Sequence, residues 1–176
     1  MKQNMLVLSY DYELSKRIAE KLSDAFSMRV LDSIDLFEFD HIPFSFKEIL
    51  EKNGIEYVMK KMKSIIKMEL DFDDAVFVAN INMADECYDL FYKIKLSNFV
   101  MLLKKNINDE VFELKKKIYK TDAEKLFFAS DMADLKTRED LIETDLADAV
   151  VEIDGLSDDE IVEKIIDKIK NYYSVN

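Results

Sequence analysis

The stretch Ser9-Tyr10-Asp11-Tyr12-Glu13-Leu14-Ser15-Lys16 follows the apolar run Met5 to Ser9 and holds hydroxyls, carboxylates and an ammonium within one helical turn or two. It lies at the first strand-to-helix junction, where α/β nucleotide folds place a phosphate-binding loop. Such a loop needs residues at positive φ and backbone that an anion can approach closely, which is glycine chemistry. The chain has two glycines, Gly54 and Gly155, both far from this junction, where average usage would give roughly twelve. Ser15 and Lys16 carry the hydroxyl and ammonium that a magnesium phosphate requires, yet without the glycines they read as helix-surface positions. Asp11 reads as the helix cap, its carboxylate taking the donors that otherwise hold phosphate and repelling ATP besides. No catalytic residue and no cofactor is assigned.

Other chemistries lack their parts. With one His and one Cys, the usual zinc ligand set cannot be assembled in one protomer, and no metal is expected. A Ser-His-acid site would have to use His41, read as a loop residue beside Pro43, and no G-x-S-x-G elbow presents a serine. Asp71, Asp73 and Asp74 precede a strand without a calcium loop and read as a solvated turn. Cys87 reads as an inert core residue.

A net charge of -12 sets the field against nucleic acid and anionic membranes, so neither is an expected partner. The basic run Lys115 to Lys117 is flanked by Glu113 and Asp122 and reads as a solvated helix face. Met5 to Leu8 is short for a signal-peptide core and is followed by Asp11 and Glu13, which predicts a cytoplasmic protein. With 49% hydrophobic residues and no linker or repeat, residues 1–176 are expected to form one domain.

The elements that must position these side chains alternate. Met5 to Ser9, Met28 to Leu31, Asp74 to Ala79, Asn98 to Leu103 and Asp148 to Ile153 read as strands, and Asp74 to Ala79 and Asn98 to Leu103 are continuous apolar runs typical of burial on both faces. Leu14, Ile18, Ala19, Leu22, Ala25 and Phe26 recur at helical spacing. Capping boxes at Ser45 and Glu48, Thr121 and Glu124, and Ser157 and Glu160 open further helices. Asn53-Gly54 ends a short helix before the stripe Ile55 to Ile66; residues 107–118 and 121–132 also read as helical. Strands interleaved with helices give right-handed crossovers and a parallel sheet, so the predicted class is α/β, a three-layer α/β/α domain with five strands.

Two local strings then resemble shikimate kinase, of the P-loop kinase fold. Ser45-Phe-Lys-Glu-Ile-Leu-Glu-Lys-Asn-Gly54-Ile-Glu-Tyr57 is similar to the family's S-I-x-E-I-F-x-x-x-G-E-x-x-F-R segment, and Arg138-Glu-Asp-Leu-Ile-Glu-Thr-Asp-Leu-Ala-Asp148 to its R-x-P-L-Y-x-E-x-A-D, with one inserted residue. The resemblance extends loosely over nearly the whole chain and implies the strand order 2-3-1-4-5. It is poorest where the family does chemistry. The phosphate loop G-x-x-G-x-G-K-[ST] has no counterpart; the family's D-x-D aligns with Ser33-Ile34-Asp35; its arginine after F becomes Met59; and its G-G-G becomes Asn80-Ile81-Asn82. What the resemblance leaves as ligand-binding candidates are Asp35 and Arg138.

Three functions follow as expectations. The first is a noncatalytic shikimate kinase-like pseudoenzyme serving as a binding or regulatory module for an unknown protein partner. The second is a small hydroxy-carboxylate binder holding its ligand between Asp35 and Arg138. The third, a phosphotransferase with an atypical nucleotide site, needs another cationic cluster, such as Lys16 and Arg17 with lysines from 115–117.

Overall fold

The computed structural model describes residues 4–69, 71–84, 87–108, 112–113, 116–128 and 131–175. Its centre is the strand β1 (Asn4–Ser9), buried along its whole length. Successive side chains of a strand point to opposite faces, and here Leu6 and Leu8 enter one core while Met5 and Val7 enter another. Both faces are therefore covered.

Helix α1 (Tyr12–Phe26) lays Leu14, Ile18, Ala19 and Leu22 on the Met5 and Val7 face. Ala25 and Phe26, expected on that stripe, are exposed, because the helix ends there at Ser27 in the left-handed conformation. β2 (Arg29–Asp32) leads directly into α2 (Ser33–Asp40), a helix absent from the sequence reading. α3 (Phe46–Glu69) is one element bent at Gly54, whose φ of 80° and ψ of 169° let the two expected helices join at an angle.

β3 (Ala75–Val78), a 3-10 turn at Ile81–Met83, α4 (Tyr88–Ser97) and β4 (Asn98–Lys104) follow. Then come α5 (Asp122–Phe128), α6 (Met132–Leu141) with a π-helical turn at Ile142–Leu146, β5 (Ala149–Glu152) and α7 (Asp158–Val175). The helix expected over 121–132 is thus α5, and Asp131 starts α6 by accepting from the Ala133 N–H at 2.7 Å. Of the helix expected over 107–118, residues 107 and 108 are irregular, 112, 113 and 116 are helical, and 109–111 and 114–115 lie outside the described residues.

The five strands pair in parallel in the order β2-β3-β1-β4-β5, as the resemblance implied. α1 and α7 cover one face and α3, α4, α5 and α6 the other, giving three layers, α/β/α. Among the described residues, no helix is long and apolar enough to cross a membrane. Asp71, Asp73 and Asp74 are exposed in the turn before β3, and Cys87 is buried.

Candidate functional site

Open α/β sheets offer a crevice beyond the carboxyl end of the central strand. Here only Tyr10 and Asp11 separate β1 from α1. Asp11 caps α1, its Oδ1 accepting from the Leu14 N–H at 3.4 Å. Ser15, expected on the helix surface, is instead fully buried: its hydroxyl donates to Ser9 Oγ at 2.9 Å, and Ser9 Oγ donates to the Asp11 carbonyl at 2.6 Å. These bonds close the junction on itself.

Tyr12 closes it from the side. Its phenol donates to Asp32 Oδ1 at 2.5 Å, and the same oxygen accepts from the N–H groups of Ile34 and Asp35 at 2.8 and 3.0 Å to cap α2. Burial, then the adjacent Asp32 carboxylate, pushes the Tyr12 phenol well above its ordinary pKa, so it stays a donor. Phe128 meets Tyr12 edge-on at 6.4 Å, and Tyr119 stacks on Phe128 at 5.1 Å. Burial, reinforced by Asp11 and Glu13, pushes the Tyr119 phenol to about 12. From Phe128 the ring contacts run through Phe127, Phe46 and Phe37 to His41. His41, expected as a plain loop residue, stacks on Phe37 at 4.2 Å and bonds the Phe37 carbonyl and the Tyr57 hydroxyl.

Asp35 and Arg138 have partners of their own. Lys16 Nζ donates to both Asp35 oxygens at 2.7 and 2.8 Å and lies 3.5 Å from Asp32 Oδ2. Against burial, which lowers it, these two carboxylates raise the Lys16 pKa. Lys16 is thus an ion-pair partner rather than a bare surface residue, while Asp35 remains well exposed. Arg138 is half-buried on α6, with Nη1 3.4 Å from Asn82 Oδ1. Asn80 and Asn82, which stand at the resemblance's glycine triplet, both donate to the Phe127 carbonyl, at 3.4 and 2.6 Å, and so hold the aromatic cluster in place.

A residue that the sequence reading missed lies one position beyond Arg138. Glu139 is 6% exposed, and its Oε1 has no hydrogen-bond partner among the described residues. Burial, with Asp140 and Glu143 adding to it and Lys104 and Lys136 opposing it, pushes the carboxyl up to about 7. Glu139 lines a cavity of about 440 Å³ between α6 and the ends of β4 and β5. Neither Asp35 nor Arg138 lines it. A second cavity, of about 400 Å³, gathers Lys116, Lys117 and Lys125 around Tyr119.

No family model matches the chain, and no curated protein does. Solved structures do. The shikimate kinase of Aquifex aeolicus superposes with a TM-score of 0.71 at 14% identity, covering 98% of this chain and 99% of that one. The Acinetobacter baumannii shikimate kinase in complex with shikimate gives 0.70 at 14% identity, covering 96% and 93%. The shikimate kinase of Bacteroides thetaiotaomicron gives 0.67 at 11%, covering 97% and 98%. Identities this low speak for the fold, and over almost the full length of both chains that fold is shikimate kinase-like.

Proposed function

We propose that this chain is a noncatalytic, shikimate kinase-like binding or regulatory module of the cytoplasm. The observation that supports it is the closed junction after β1. Where the resembling family carries a glycine-rich loop, this chain has two residues, a carboxylate cap at Asp11, and Tyr12 bonded to Asp32. At the helix N-terminus that elsewhere receives phosphate, the protein's own Asp11 carboxylate takes the Leu14 N–H, and Asp11 and Glu13 repel an anion there.

Calorimetric titration with magnesium ATP and magnesium ADP tests this reading. No saturable heat is expected at submillimolar nucleotide, and no phosphate transfer to shikimate. Micromolar nucleotide affinity would overturn the proposal.

A further inference from the structure

We infer that the cavity between α6 and the ends of β4 and β5 is a binding site for a small organic amine, whose ammonium group is received by Glu139. The inference goes beyond the noncatalytic reading and is independent of it, since it concerns another cavity and another ligand.

The cavity's volume of about 440 Å³ is of small-molecule size. Its walls supply four carboxylates: Glu139 and Asp140 from α6, and Glu152 and Asp154 from the end of β5 and the turn after it. Three lysines answer them, Lys104, Lys105 and Lys136, but Lys104 is turned to Glu143, a residue outside the lining. Four carboxylates therefore share the space with two lysines, and an anionic ligand would enter against an unfavourable field. Leu135, Met132 and Ile107 add the apolar wall along which a short hydrocarbon chain can lie.

Glu139 makes this more than an acidic patch. A carboxyl oxygen sealed from water without a donor is costly, and a buried polar group left in that state calls for an explanation. The terminal torsion of a glutamate is soft, so the carboxyl can turn an oxygen toward the cavity it lines. An arriving ammonium supplies the missing donor and favours the ionised form. Charged groups from several elements act on that carboxyl: Lys104 from β4, Lys136 and Asp140 from α6, and Glu143 from the π-helical turn, while the Tyr10 phenol at the β1–α1 junction in turn feels its charge. Burial, with Asp140 and Glu143, outweighs the two lysines and holds it at about 7, so binding near neutrality must expel a proton from part of the population.

The test is calorimetric titration of the full chain with putrescine, with butanediol as the uncharged control of similar shape. Saturable binding of the diamine and not the diol is expected, with a net proton release near neutrality. Affinity should rise about tenfold between about pH 6 and about pH 8, as Glu139 ionises. Glu139→Gln should weaken binding at least about tenfold. Met132→Trp, which adds an indole to the cavity wall, should weaken it as well while melting normally, so a poorly folding Glu139 variant leaves the test intact. The inference is overturned by no saturable heat up to about 10 mM diamine, by equal binding of the diol, by unchanged affinity in well-folded Glu139→Gln or Met132→Trp, or by tighter binding at the lower pH.

Discussion

The Tyr12 hydroxyl and Asp32 Oδ1 stand 2.5 Å apart, joining the first turn of α1 to the end of β2 across the crevice of the sheet. Asp32 is buried, and its Oδ1 also caps α2, so one carboxylate oxygen holds three elements together. Tyr12→Phe removes only the hydroxyl. It should destabilise the protein by about 1–3 kcal/mol, the range for a lost hydrogen bond to a charged buried group. Urea denaturation checks this; a change within error would show that the contact only decorates the crevice.

Glu139 makes stability depend on pH in the direction opposite to most carboxyls. Its folded pKa of about 7 lies above the ordinary 4.5, so the folded state binds the proton more tightly than the unfolded one. Above about pH 7 the charge is a burden, and stability returns as pH falls from there toward 4.5, by about 3 kcal/mol in total. Glu139→Gln should therefore be more stable than wild type at about pH 8 and should flatten the profile in that window. Below it the sign reverses: against the cost of burial, Lys47 and the Thr121 and Lys120 N–H groups hold Glu124 low, and its contribution is lost on protonation. Melting temperatures across the range read both limbs.

Two backbone positions predict opposite outcomes. Gly54, at φ 80° and ψ 169°, has open space around an added Cβ, so Gly54→Ala isolates backbone strain and should cost about 1–3 kcal/mol. Ser27, at φ 55°, already bears strain that glycine relieves, and Ser27→Gly should stabilise by about 0.5–1 kcal/mol. Equal effects of one sign in chemical denaturation would contradict the account.

A thermal-shift panel of small hydroxy acids addresses the remaining candidate pair. Asp35 is held by Lys16, and Arg138 reaches Asn82. No stabilisation is expected in wild type, and Arg138→Ala should change stability by at most about 1 kcal/mol. A ligand-dependent rise that disappears in Arg138→Ala would instead favour the hydroxy-carboxylate binder.

The sheet was legible because its strands are buried on both faces, and Ala75–Val78 or Asn98–Lys104 have little to write but apolar residues. The capping boxes were equally plain: Ser45 with Glu48, Thr121 with Glu124 and Ser157 with Glu160 all form. α2 was hidden, although Asp32 followed by Asp35 is itself a helix-start signal, because Ser33-Ile34-Asp35 stands where the resembling family has its D-x-D. α6 was hidden because Lys136, Arg138, Glu139 and Asp140 give it almost no apolar stripe. Glu139 could not be singled out for the same reason: its burial comes from the surrounding fold, while its sequence neighbours are those of a solvated helix. Ser15 was misjudged because its partner, Ser9, lies inside the strand.

The central place of β1 also fixes a sequence of events in time. Met5 pairs with Val76, and Asn4 pairs with Asn98. A growing chain therefore makes its central strand well before either of that strand's neighbours, so no rung of the sheet can close until β3 has emerged. During that interval Met5 and Val7 have only α1 to shelter them, and Leu6 and Leu8, on the other face, only α2 and α3. Such long-range pairing makes for slow folding and a premium on early helix formation. The nascent chain is then most in need of a chaperone before β3 has left the ribosome.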